Sequence, residues 1–235
     1  MNMQKKYGIF DIIGPVMIGP SSSHTAGAAR IGRIARLIAG SEVVKADFIL
    51  HGSFSKTYRG HGTDRALVAG LLGMLPDDDR LRDSMDLAME AGISITFREG
   101  SLGDVHPNTV RIDMTREDGE IVTVTGSSIG GGAVLITRIG DEDVQFTGNY
   151  PTLLITHTDA PGVVAHVTRL LYEACINIAF MSVFRSQRGK DATIIFETDE
   201  NIPEETLEKL KAVSGVGGIR FLPVSSDSVS YPVTT

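Results

Sequence analysis

The clearest hydrophobic pattern lies in the second half of the chain, beginning at Gly148-Asn149-Tyr150-Pro151. Thr152 to His157 is a β-rich apolar run, and Asp159-Ala160-Pro161-Gly162 is a turn that leads into a helix with Pro near its start. In that helix Val163, Val167, Leu170, Leu171 and Cys175 recur at spacings of three and four, which predicts one buried face. Asn177 to Ser186 and Ala192 to Thr198 predict a hairpin closed by Arg188-Gly189-Lys190-Asp191. Pro203 opens a second helix with Leu207, Leu210 and Val213 inward and Glu205 one turn before Lys209. Gly217 to Leu222 reads as the last strand, and the serine-rich stretch from 224 to 235 carries no core pattern and is expected to be flexible. The order βαββαβ is the ferredoxin-like arrangement, two helices on one face of an antiparallel sheet.

The first half is α+β and less regular. A small-residue helix is predicted from about Ser23 to Ala39, a strand from Val43 to Leu50, then a polar loop and a helix from Thr63 toward Met74. Arg80 to Ala91 predicts an acidic surface helix with Leu81, Met85, Ala88 and Met89 inward. Strands follow at Ile93 to Phe97, Thr109 to Thr115 and Ile121 to Thr125, the last two joined at Asp118-Gly119, and Ala133 to Ile139 closes the set. The expected division is therefore residues 1–147, 148–223 and a tail 224–235. At 235 residues the chain is about 1.6 domains long at roughly 150 residues each, consistent with one α+β domain and one small one.

Charge and composition narrow the chemistry. A formal net charge of −7 with no basic run gives no electrostatic reason to bind nucleic acid. The apolar start Ile9 to Ile18 is broken by Asp11, Gly14 and Pro15, so no membrane span or leader is expected and the cytoplasm is the default location. One cysteine, Cys175, can form neither an intramolecular disulfide nor a multi-cysteine metal site.

Three polar constellations stand out. Gly19-Pro20-Ser21-Ser22-Ser23-His24-Thr25-Ala26-Gly27 precedes a helix, where one serine suffices as a cap and free N–H groups favour an anion such as a carboxylate. A capped helix with a surface histidine is the plain alternative, and sequence adjacency alone makes no Ser-His nucleophile pair. His51 to Asp64 follows a strand and precedes a helix, with His61 between two glycines before a Thr63 cap; a histidine so presented can accept a proton near neutrality, or be merely solvated. His51, His61 and a carboxylate have no metal-ligand spacing. Thr125 to Gly132 can cradle an anion or simply turn a corner, and lacks the endings of a P-loop or dinucleotide fingerprint. His106-Pro107-Asn108-Thr109 reads as a turn before a strand.

The segments GPSSSHTAGAARIGRIAR (19–36), HGSFSKTYRGHGTDRAL (51–67), HPNTVRI (106–112) and GSSIGGG (126–132) occur in this order before the ferredoxin-like half. Together they resemble the beta chains of bacterial iron-sulfur-dependent L-serine dehydratases (L-serine ammonia-lyases). The resemblance implies an N-terminal domain like the allosteric-substrate-binding domain of some phosphoglycerate dehydrogenases, followed by an ACT domain. It implies a separate alpha chain whose cysteines hold a [4Fe-4S] cluster, with an open iron acting as Lewis acid toward serine. The activity implied is loss of water from L-serine, then of ammonia, giving pyruvate. By residue, the resemblance makes His61 the base for the α-proton, with Ser21, Ser22, Ser23, His24, Thr25, Ser53 and Thr57 around the substrate. In similar ACT domains the turn after the first strand and the start of the second bind small amino acids or mediate side-by-side pairing, here Asp159, Gly162 and Asn177. Cys175 is expected in the core. Two other classes stay open: a stand-alone amino-acid-sensing module and a structural dimerisation subunit.

Overall fold

The computed structural model describes residues 17, 19, 21–40, 42–185 and 187–223. The predicted tail at 224–235, most of the apolar start and Ser186 lie outside them. The chain forms two compact units that divide between Leu135 and Ile136.

The first unit begins with a π-helical turn, Ser22–Ala26, that runs directly into α1, Gly27–Ala39. The strand β1 (Val43–Leu50) follows, then α2 (Gly52–Thr57), α3 (Thr63–Leu71), a 3-10 turn at Asp79–Asp83 and α4 (Ser84–Glu90). The remaining strands are β2 (Ser94–Glu99), β3 (Thr109–Arg116) and β4 (Ile121–Gly130), while β5 (Ala133–Ile139) spans the division and β6 (Glu142–Phe146) lies in the second unit; the sheet order is β2-β1-β3-β4-β5-β6. Only β1 and β2 run parallel among the registered pairs of this sheet, because the α2 to α4 segment returns the chain to the same end.

Small residues decide how α1 meets α3. A Cβ on Gly70 would lie 1.9 Å from the Ala29 carbonyl oxygen, and one on Gly32 would lie 2.2 Å from that of Leu67. The two helices therefore touch backbone to backbone. Ala28, Ala29, Ile31, Ala35, Leu67, Val68 and Leu71 fill the core around that contact.

Three expectations change here. The stretch 51–62 is not simply loop, since α2 forms within it. The segment Thr125 to Ser128 is buried strand, and only Gly130, Gly131 and Gly132, all at positive φ, make the corner into β5. Ser127 is held there by the Thr109 hydroxyl at 2.7 Å, so no open anion cradle forms. Along Arg80 to Ala91 the inward residues are Leu81, Ser84 and Ala88, while Met85 and Met89 are exposed. The 3-10 turn advances about 120° per residue against about 100° in an α-helix, which rotates the buried stripe away from both methionines.

The second unit holds the four-stranded antiparallel sheet β10-β7-β9-β8, with β7 at Thr152–Thr158, β8 at Ile178–Arg185, β9 at Asp191–Thr198 and β10 at Val216–Leu222. Helices α5 (Val163–Glu173) and α6 (Glu204–Lys211) complete the expected βαββαβ order. Leu153, Ile155, Ile194 and Phe196 pack with Val167 and Leu171 of α5 and Leu207 and Leu210 of α6 in one core. Lys209 Nζ meets Glu205 at 2.6 Å, the predicted i,i+4 pair. Cys175 departs from expectation: α5 ends at Glu173, and Cys175 is exposed at φ +57°. It occupies the left-handed position that ends helices, which turns its side chain off the buried face. Among the described residues no helix is long and apolar enough to cross a membrane.

Candidate functional site

The site is assembled where α1 and α3 begin. Ser21 is the cap of the first turn: its Oγ accepts from the His24 backbone N–H at 3.3 Å, and its carbonyl accepts from Thr25 N at 2.8 Å. Ser22 and Ser23 are half-buried on the same turn, and the Ser22 carbonyl accepts from Gly27 N.

The second segment enters from the end of β1. Gly52 sits at φ +57°, and a Cβ there would lie 2.6 Å from the Pro107 carbonyl oxygen. That carbonyl accepts from Ser53 N at 2.8 Å, so the His106 to Thr109 turn is a scaffold for α2. Thr109 Oγ1 donates to the His106 carbonyl at 2.6 Å, and Asn108 N donates to His106 Nδ1 at 3.1 Å, which closes the turn. Phe54, fully buried, presents its ring to His24 edge to face at 5.4 Å.

His24 joins the two segments. Its Nδ1 lies 3.3 Å from Ser21 Oγ and its Nε2 lies 3.3 Å from Ser53 Oγ. The His61 ring stands against it at 4.9 Å between centroids and 75° between planes. Partial burial, and second the neighbouring His61, push the His24 imidazole below the ordinary histidine value, so its neutral form is favoured. His61 is exposed, and its backbone N–H donates to the Thr57 carbonyl at 3.0 Å. Gly62, at φ +67°, is the residue that turns the chain into α3, so Thr63 is the first helical residue and not the cap.

Of the residues singled out from sequence, Ser21, His24, Ser53 and His61 meet directly. Thr25 is buried, its hydroxyl 3.5 Å from the His61 carbonyl, and Thr57 spends its hydroxyl on the Ser53 carbonyl at 2.8 Å. His51 faces elsewhere, its Nδ1 accepting from Leu102 N at 3.2 Å. Sequence reasoning missed Phe54 and Pro107. The proline in the 106–109 motif was visible, but a carbonyl offered across the sheet to Ser53 leaves no pattern in one strand's sequence.

In the second unit the three ACT-type positions are occupied with local structure. Asp159 accepts from Arg185 Nη1 at 3.0 Å and Gly189 N at 3.1 Å. Asn177 donates to Asp199 Oδ2 at 2.5 Å, and its N–H donates to Glu200. Gly162, at φ +97°, leads into α5.

The donors of this chain do not fit a [4Fe-4S] cluster. Such clusters take four thiolates, and the sequence has one cysteine, exposed at the end of α5. Among the described residues no three His, Cys, Asp or Glu side chains gather as a metal site.

A profile for the family described as "Serine dehydratase beta chain" matches residues 8–91, and one for the ACT domain matches residues 152–215. The chain is 43% identical over 212 residues to a probable L-serine dehydratase, beta chain, of Bacillus subtilis, covering 90% of this chain and 96% of that one. It is 40% identical over 219 residues to the L-serine dehydratase, beta chain, of Peptoniphilus asaccharolyticus, covering 93% and 99%. A D-3-phosphoglycerate dehydrogenase of Methanocaldococcus jannaschii is 26% identical over 199 residues, covering 83% of this chain and 37% of that protein.

Proposed function

Because the chain belongs to the family of L-serine dehydratase beta chains, we propose that it completes a serine-dehydrating active site together with an alpha chain and is inactive alone. The iron-sulfur cluster of such an enzyme belongs on the alpha chain, since the donors here do not fit one. Residues 1–147 supply the catalytic face and 148–223 the ACT domain.

In this reading His61 removes the α-proton of L-serine. Its exposure leaves the imidazole open to a ligand, and the glycines on either side leave room for the ligand's backbone atoms. The Cα–H electron pair forms the Cα–Cβ double bond as the Cβ hydroxyl leaves on the alpha-chain side. The aminoacrylate so formed tautomerises to the imine, and water converts this to pyruvate and ammonia. Ser21, Ser22, Ser23, His24, Thr25, Ser53 and Thr57 form the wall around it. The hydroxyls of Ser22, Ser23 and Ser53 and the N–H groups that open the Ser22–Ala26 turn suit a carboxylate whose charge grows as the α-proton leaves.

The observation that carries this reading is the meeting of His24, Ser53 and His61, from two segments some thirty residues apart. Anaerobic reconstitution with the alpha chain, followed by pyruvate release from L-serine, tests it. His61→Ala is expected to abolish turnover while the complex and its cluster remain intact. Full turnover in that variant would remove His61 as the base and favour a sensing module without catalytic groups.

A further inference from the structure

We propose that His24 is a positioning residue that fixes the Ser53 hydroxyl as a hydrogen-bond donor toward the substrate carboxylate, with Ser21 selecting the imidazole tautomer that does so. This rests on the serine-dehydrating reading above.

The argument follows the protons. Ser21 Oγ already accepts the His24 backbone N–H, so one of its lone pairs is used. Its own proton has, among the described residues, one acceptor within reach, His24 Nδ1 at 3.3 Å. A neutral imidazole that accepts at Nδ1 carries its proton on Nε2. Nε2 lies 3.3 Å from Ser53 Oγ and, being protonated, donates to it. Ser53 Oγ then has its lone pair engaged and its proton turned away from His24. Its backbone N–H is fixed on Pro107 and Thr57 fixes its carbonyl, so the main chain that carries the hydroxyl is held in place. The directed chain Ser21 to His24 to Ser53 ends in an O–H that is not given to His24 and can be donated to a ligand.

The electrostatics run the same way. An imidazolium at His24 would donate at both nitrogens and force Ser21 to reverse its hydroxyl. Partial burial and the adjacent His61 ring oppose that charge. The ring is further held at its edge by Phe54, which cannot exchange protons and so leaves the tautomer to the two serines.

Two measurements test this. In the full chain, ¹⁵N-resolved NMR of the histidine rings near pH 7.5 is expected to show His24 with its proton on Nε2, and Ser21→Ala is expected to weaken that preference. A proton on Nδ1, or a charged ring at that pH, overturns the proposal whether or not the chain acts on serine. In the reconstituted complex, His24→Gln places an amide N–H near the Nε2 position and His24→Asn near Nδ1. The Asn variant is expected to lose about 100-fold in kcat with little change in KM, the scale of one lost oriented donor, and the Gln variant to recover most of that loss. Ser53→Ala should match the Asn variant, and combining the two should cost no more than either alone. Equal losses in Gln and Asn, or losses that multiply in the double variant, overturn the proposal. Melting temperatures on the same samples identify a folding defect at His24, in which case Ser21→Ala and Ser53→Ala carry the same cycle from the other two members. Absence of pyruvate from the wild-type complex counts against the serine-dehydrating reading, and the ring NMR still decides the tautomer.

Discussion

His24 and His61 meet edge to face with their ring centroids 4.9 Å apart. His24 binds protons less readily in the folded chain than an ordinary histidine, first through burial and then through its neighbour. The unfolded chain therefore takes up more protons between the lowered value and about 6.5, and stability falls as pH drops through that window. Above it the contribution is fully present. Melting temperatures of wild type and His24→Gln, taken at pH 8 and pH 5.5, should shift in favour of the Gln variant at the lower pH. A gap that stays constant would show that His24 does not titrate differently on unfolding.

Gly70 admits no side chain. A Cβ there would meet the Ala29 carbonyl oxygen at 1.9 Å and Arg33 N at 2.7 Å, both backbone atoms of α1. Gly70→Ala should cost about 3 kcal/mol despite the better helix propensity of alanine, because backbone cannot move aside as a flexible side chain does. Denaturant unfolding of the full chain reads this directly, and an unchanged midpoint would mean that the helices separate freely.

Gly52 carries a double constraint, a left-handed φ and a Cβ position 2.6 Å from the Pro107 carbonyl oxygen. Gly52→Ala should weaken the anchor that holds Ser53 N on that carbonyl and so displace Ser53 from His24. The expected result is a stability loss of about 1 to 3 kcal/mol and a fall in serine turnover larger than the loss of assembled complex. Turnover that tracks assembly alone would confine Gly52 to folding.

Cys175 is a non-glycine residue at φ +57° on an exposed helix end. Cys175→Gly removes the Cβ penalty of that conformation and should stabilise the chain by about 1 kcal/mol. In the wild type the thiol should react with an aqueous alkylating reagent under native conditions, and resistance to it would contradict its exposure.

The Asp159 carboxylate is held below its usual range, first by the Gly189 N–H and then by Arg185. The tie between β7 and the 187–190 turn is therefore present above about pH 4 and is lost as pH falls through the lowered value. Asp159→Asn should accelerate amide exchange at Gly189 at neutral pH, where the wild type is protected.

Sequence periodicity located β1, β5 and the βαββαβ order closely, because each of those elements buries one regular face. It failed where the period itself changes. The 3-10 turn before α4 rotated Met85 and Met89 into solvent, and the end of α5 at Glu173 left Cys175 beyond the face it had extrapolated. The candidate site was legible as two motifs, since Ser21, His24, Ser53 and His61 stood in them. Their mutual geometry was not, for it depends on Gly32, Gly70 and the Pro107 carbonyl, whose contacts are made by atoms common to every residue and so leave little trace in a sequence.

The backbone contact between α1 and α3 has a mechanical meaning for the site. His24 precedes one of these helices by three residues and His61 precedes the other by two, so each imidazole is carried at the end of a rod whose partner rod it cannot slide past. No interposed side chain can change rotamer to lengthen the gap. The spacing of the two helix starts that bear the rings is accordingly indexed to the peptide framework, in the manner of a keyed joint, and the adjustment left to the rings themselves is that of their own side-chain torsions.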